Sequence, residues 1–298
     1  MTISKKQFDI LASMAETSAP MTQRELESET GYSLGTVNSV MKELTKFGYV
    51  KNRKITDDGL IALEPYRAKR AVFLAAGFGS RLIPITFNTP KPLVRVHGER
   101  IIDSMIDACM AAGINEIYIV RGYLSDLFDQ LLYKYPTIKF LENPVYNETN
   151  NISSALVARY LLSNAYVLEA DLLISNPSIV KKYHYRSNFL GIKKKRSDDW
   201  IFKVKDGIIY EETIGGGGDN VYREIGISYW DEEDGHKLCQ DILDIYQSPG
   251  GKERFWEQVP LNYRKEHYVV EIRECYDEDI VEIDTFNELK KIDKNYDV

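Results

Sequence analysis

The sequence has no apolar run approaching the roughly 18 residues that a membrane-spanning helix needs, so no membrane partner is expected. Its N-terminus, MTISKKQFDILASMAE, is amphipathic and carries acids, unlike a signal peptide. Cysteine is scarce. Cys109, Cys239 and Cys275 stand far apart without metal-ligand spacing, which suits a reducing cytoplasm, the expected location, and assigns them no direct chemistry. The histidines, His97, His184, His236 and His267, show neither metal spacing nor a pairing with a nucleophile. A basic excess is missing too: of 38 Lys+Arg and 45 Asp+Glu, 9 of each lie before Ala68, leaving 29 basic against 36 acidic residues beyond it. That acidic body argues against broad nucleic-acid binding and is compatible with Mg²⁺ and a cationic ligand.

What is present begins with a small helical module, residues 1–66. Phe8, Ile10, Leu11 and Met14 form one helical stripe over residues 4–17. Thr22 with Glu25 reads as a capping box for QRELESET, which ends at Gly31. Ser33 then starts a helix with Leu34, Val37, Val40, Met41 and Leu44 turned inward, and YVKNRKITDDGLIAL reads as a hairpin around Asp57-Asp58-Gly59. The order resembles a winged helix-turn-helix domain. Its third helix would present Ser33, Thr36, Asn38, Ser39 and Lys42 to DNA, with Lys51, Arg53 and Lys54 on phosphates. Such domains also serve dimerisation and protein docking, so a homodimer is a parallel expectation. Absence of salt-sensitive DNA binding by residues 1–68 in a gel shift refutes the DNA reading. Residues 65–70 read as a linker.

The second module, residues 70–298, opens on a short strand, AVFLAA, apolar throughout as a central parallel strand would be. Two familiar phosphate loops are absent after it. Gly77 and Gly79 are present, but Leu82 stands where a dinucleotide fingerprint needs its third glycine, and no Gly-Lys-Ser/Thr follows. Basic groups come at Arg81 and, between Pro90 and Pro92, at Lys91. Backbone N–H groups at Ala76–Gly79 approach triphosphate oxygens where no Cβ intervenes. Arg81 offers a fork to the β- and γ-phosphates, and the prolines aim Lys91 at the α-phosphate or the incoming phosphate.

The whole string AVFLAAGFGSRLIPITFNTPKPLVRVHGERIID resembles the signature of the nucleotidyltransferase family that activates phosphorylated small molecules with NTPs, and the likeness continues over residues 70–295. GISYWD, the Asn-Asn-Ile-Ser-Ser segment and VEIDTFNEL are most similar to the bacterial CTP:phosphocholine cytidylyltransferase (LicC-type) branch. The resemblance implies a Rossmann-like α/β fold with a mixed, mostly parallel sheet. It implies nucleotide contacts from Leu74, Ala75, Ala76, Gly77 and Gly79, a base pocket at Gly122 and Tyr123, and continuation of the nucleotide site at Asn151 and Ser153.

Glu169 and Asp171 alternate on one side of a strand, and Glu282 and Asp284 repeat the pattern. Hard oxygen ligands at a strand end suit Mg²⁺. The resemblance singles out Asp171 and Asp284 as ligands and leaves Glu169 behind them. In the implied reaction a substrate phosphate attacks the α-phosphorus of CTP in line, with Lys91 and Arg81 stabilising charge and no protein nucleophile.

A quaternary ammonium is held by aromatic faces and a nearby carboxylate. Trp200, Trp230 and Trp256, with Asp231, are therefore expected around a choline group. The tetraglycine 215–218 reads as a turn beside that pocket, and Lys193–Arg196 as a solvated loop. Phosphocholine is the expected acceptor. Phosphoethanolamine, 2-aminoethylphosphonate and a sugar-1-phosphate are the alternatives, and a ligand-sensing transcriptional regulator is the alternative of another class.

Overall fold

The computed structural model describes residues 2–17 and 19–297. The chain divides into two compact units, one running to Arg67 and including Tyr183–Tyr185, the other made of the remainder from Ala68.

In the smaller unit, polar caps set where each helix starts. Ser4 with Gln7 caps α1 (Lys5–Ala15), Thr22 with Glu25 caps α2 (Gln23–Thr30), and Ser33 caps α3 (Leu34–Lys46) by accepting from the Thr36 N–H. Gly31 ends α2 at φ +68°, the left-handed conformation glycine adopts without a Cβ penalty. The inward stripes bury Leu11, Leu26, Val37 and Leu44 completely. Leu34 departs from expectation: as the first helical residue it lies beyond the stripe and is 40% exposed. The hairpin departs as well. Strands β1 (Val50–Lys51) and β2 (Lys54–Ile55) turn at Asn52-Arg53, both at positive φ. Asp57-Asp58-Gly59 instead begins α4 (Asp57–Leu63), capped by Thr56, where two acids suit a helix N-terminus. Ser33, Asn38, Ser39 and Lys42 are exposed and Thr36 is half-buried. Asn38 accepts from Gln23 Nε2 at 3.2 Å.

The larger unit starts with β3 (Arg70–Leu74), followed by a glycine loop, a small hairpin, β4 (Arg95–Val96) and β5 (Glu99–Arg100), and α5 (Ile101–Ala111). Next come β6 (Glu116–Arg121), β7 (Lys139–Glu142), α6 (Ile152–Ala158), β8 (Ala165–Glu169) and β9 (Leu172–Ile174). A β-rich stretch follows: β10 (Asn188–Lys194), β11 (Ile201–Lys205), β12 (Ile208–Thr213) and β13 (Val221–Trp230). Then come α7 (Glu232–Gln247), β14 (Glu271–Cys275), β15 (Ile280–Glu282) and α8 (Phe286–Ile292).

Nine of these strands form one sheet in the order β10-β14-β12-β11-β13-β8-β3-β6-β7. The sheet is mixed, but the expectation of a mostly parallel one needs correcting. β3 pairs parallel with β6 and β8, β6 with β7, and β10 with β14. Five pairings are antiparallel: β13 with β8, β10 and β11, and β12 with β11 and β14. Of these five, β11–β12 is a hairpin closed by Asp206-Gly207, and the other four join strands distant in the chain.

After Arg70, β3 is apolar because it feeds two cores. Ala71 and Phe73 join one cluster, and Val72 joins the other with Val120 and Val167. Leu74 and Glu169 end adjacent parallel strands in register, at the carboxyl edge where open α/β sheets bind ligands. β15 pairs antiparallel with β9, and the Ile283 N–H donates to the Asp171 carbonyl at 3.2 Å. That pairing brings Asp284 beside Asp171 across more than a hundred residues of chain. Among the described residues no helix is long and apolar enough to cross a membrane.

Candidate active site

A cavity of about 630 Å³ opens at this edge, bordered by the loop after β3 and by β8, β13 and β15. Leu74, Ala75, Ala76, Gly77, Gly79 and Arg81 all line it. A Cβ on Gly77 would meet no protein atom within 4 Å, so protein packing does not demand glycine there and the backbone is open to the cavity. Gly79 has a different reason: its φ is +61° and a Cβ would stand 2.9 Å from the Cβ of Lys91. Its bareness lets the Lys91 stem pass behind the loop.

Lys91, 8% exposed, donates from Nζ to Asp171 Oδ2 at 2.8 Å and to Asp284 Oδ1 at 2.9 Å. Arg81 grips both oxygens of Asp284 at 2.8 Å. Burial alone would depress the Lys91 pKa, but Asp171 and then Asp284 outweigh it and hold the ammonium above its ordinary value. Burial would likewise raise the Asp284 carboxyl, and Lys91 and Arg81 more than reverse that.

Glu282 completes an acidic trio with Asp171 and Asp284, whose ligand oxygens all lie within 4.8 Å of one another. Burial first, then the charges of Asp171 and Asp284, push Glu282 up to about 9. Asp171 Oδ1 is buried and has no hydrogen-bond partner. An orphaned carboxylate oxygen within a cluster of hard donors fits a divalent cation.

The next wall holds two acids that sequence reading missed, Glu224 and Glu257, which border the cavity with Glu169, Trp200 and Phe255. Gly226 makes room for Glu169, since a Cβ there would stand 2.7 Å from the Glu169 Cγ. Burial, then Glu257 and Asp171, hold Glu169 well above the usual carboxylate range. Burial of both side chains favours a proton on this pair of neighbouring carboxyls. It pushes Glu257 up to about 7. Glu224 is also held well above its range, by burial first and then by Glu212, Glu257 and Glu169, and its Oε2 is buried without a partner.

Several expected residues lie elsewhere. Trp230 and Trp256 are buried in the core, their rings 6.0 Å apart and edge-on, and do not line the cavity. Trp230 Nε1 donates inward to Ser228 Oγ at 3.0 Å. Asp231 is the N-cap of α7, accepting from the Asp234 N–H, and is absent from the cavity wall. Of the tryptophans, Trp200 alone borders the cavity, edge-on to Phe255 at 4.8 Å. Gly122 and Tyr123 do not line it either. Tyr123 braces the glycine loop, donating from its N–H to the Ala76 carbonyl and from its hydroxyl to the Thr86 carbonyl. Ser153 and Asn151 do border the cavity, although the Ser153 hydroxyl is engaged by Asn143 and the Asn150 carbonyl. The tetraglycine packs on Ser197 and Asp198, just before Asp199 and Trp200 of the wall, and Lys193 and Lys194 belong to β10 rather than to a loop.

Residues 70–196 match the family described as Nucleotidyl transferase. A 2-aminoethylphosphonate cytidylyltransferase of Lancefieldella rimae is 36% identical over 230 residues, 76% of this chain and 92% of that protein. A choline-phosphate cytidylyltransferase of Streptococcus pneumoniae is 30% identical, over 76% of this chain and 97% of that protein. Among solved structures, the CTP:phosphocholine cytidylyltransferase LicC from Streptococcus pneumoniae superposes with a TM-score of 0.70 at 27% identity, covering 77% of this chain and 99% of that one. About a quarter of the chain therefore lies outside what each of these relatives spans.

Proposed function

The chain belongs to the nucleotidyl transferase family and is a cytidylyltransferase, and on that premise we propose that its acceptor is a small phosphonate or phosphate ester with a primary ammonium. 2-Aminoethylphosphonate is the first choice and phosphoethanolamine the second. The observation that carries this reading is the wall of Glu169, Glu224 and Glu257. A primary ammonium donates three hydrogen bonds and is held by carboxylates, whereas a quaternary one donates none and needs an aromatic box. Only one of the three expected tryptophans borders the cavity. Phosphocholine remains the second reading, favoured by the Trp200–Phe255 pair, against which a trimethylammonium would pack.

In this reaction an acceptor oxygen attacks the α-phosphorus of CTP, the bond to the bridging oxygen breaks, and pyrophosphate leaves. The acceptor is already ionised at neutral pH, so no residue has to remove a proton. Lys91, held by Asp171 and Asp284, neutralises charge where the transferred and attacking oxygens meet. Arg81 presents its fork to the leaving phosphates. Asp171, Asp284 and Glu282 would hold a divalent cation, for which Mg²⁺ is proposed. When bound, it adds positive charge against the triphosphate.

Comparison of kcat/KM for 2-aminoethylphosphonate, phosphoethanolamine and phosphocholine with CTP tests the acceptor. The primary amines should lead by about tenfold or more, and a lead by phosphocholine refutes the reading. A pH dependence follows as well. A carboxyl raised to about 7 attracts a cation only once ionised, so amine recognition through Glu257 strengthens as pH climbs through that value. The kcat/KM ratio of 2-aminoethylphosphonate to ethylphosphonate should therefore rise between about pH 6 and 8. The ammonium lowers the phosphonate pKa of one acceptor and not of the other, so each kcat/KM is referred to the concentration of the phosphonate dianion before the ratio is taken. A flat or falling ratio contradicts this.

A further inference from the structure

We propose that Asn151 is a positioning residue of the amine subsite and not a nucleotide contact; the inference rests on the amine-acceptor reading above. Both ends of its amide are committed within the protein. Oδ1 accepts from the Trp256 N–H at 2.8 Å, while Nδ2 stands 3.2 and 3.3 Å from the two oxygens of Glu257 and 3.4 Å from Glu169 Oε1. An asparagine amide has two N–H donors, and here the carboxylates take them, leaving none for a base or ribose.

The neighbouring asparagine completes a clip. Asn150 donates its N–H to the Lys252 carbonyl at 2.8 Å and its Nδ2 to the Glu253 carbonyl at 3.3 Å. Its Oδ1 accepts from the Asn151 N–H at 2.7 Å. The pair thus ties the loop before α6 to residues 252–257, about a hundred positions on. That tie holds Glu169, at the end of β8, and Glu257, on an irregular segment, beside each other at the edge of the cavity. Asn151 sets their separation, and Glu224, with an unpartnered oxygen, faces the same space. The substrate ammonium is received by Glu257 and Glu224, with Asn151 acting through Glu257.

The test measures kcat/KM for 2-aminoethylphosphonate and for ethylphosphonate, and KM for CTP, in the full chain and in Asn151→Ala and Glu257→Gln. Wild type should prefer the amine by about 100-fold or more, because a site built for hydrogen bonding rejects an analogue lacking the donor. Asn151→Ala should cut that preference about tenfold while KM for CTP stays within about twofold. Glu257→Gln, which keeps an oxygen facing Asn151 and removes the charge, should cut it at least as far. Equal loss on both acceptors would indicate a merely structural role and overturn the inference. So would a raised KM for CTP with the preference intact, since it would mark Asn151 as a nucleotide contact. A wild-type enzyme that ignores the amine overturns the acceptor reading itself, a failure separable from the other two because it appears before any substitution.

Discussion

Lys91→Ala is expected to lower kcat for pyrophosphate release by about 10³-fold, the scale seen when a fixed charge at a phosphoryl transition state is removed. The ammonium is buried, held by two carboxylates, and aimed by a turn flanked with prolines, so no other side chain can take its place. Arg81 is engaged with Asp284 and is largely exposed. Removing Lys91 also leaves Asp171 and Asp284 without their shared counter-charge. Breaking a buried pair in this way costs up to about 3–5 kcal/mol, so the variant should melt lower than wild type. Mg²⁺ should raise its melting temperature by more than it raises that of wild type, because the cation then supplies the missing charge. Retention of a tenth or more of wild-type kcat would refute the role given to Lys91.

Asp171→Asn is expected to reduce kcat by about 10³-fold or more at any attainable Mg²⁺ concentration. The substitution preserves shape and removes a carboxylate that grips Lys91 and offers a cation a buried, unpartnered oxygen. Mg²⁺-dependent stabilisation in melting experiments should weaken in parallel. Near-normal turnover restored by higher Mg²⁺ would reduce Asp171 to an affinity aid, and turnover unaffected at ordinary Mg²⁺ would remove it from the site.

The contrast between what could be read from sequence and what could not has physical causes. The loop from Ala75 to Arg81, Lys91 and the two aspartates was legible because glycine, proline and acid-x-acid spacing constrain the backbone locally, and all of them border one cavity. Two caps were legible for the same reason: Thr22 and Ser33 act on N–H groups three residues away. Glu257 was not, because it meets Glu169 and Asn151 only through tertiary structure. Glu224 left a faint signal, an acid in the interior of a strand with a glycine two residues on. Asp231 misled because an acid beside a tryptophan suits a cation cage and an acid opening a helix suits its N-terminal N–H groups equally well, and here it caps α7. Trp230 and Trp256 went the common way of large aromatic rings, into the core. The strand directions of the later half depended on which partners those strands found, which a period-two pattern does not specify.

The most direct test of the central claim is pyrophosphate release with Mg²⁺ over a grid of CTP, UTP, ATP and dTTP against 2-aminoethylphosphonate, phosphocholine and glucose-1-phosphate. The account predicts one dominant cell, CTP with 2-aminoethylphosphonate, and formation of the CMP-phosphonate in step with pyrophosphate. Turnover led by UTP or dTTP with the sugar phosphate would contradict it.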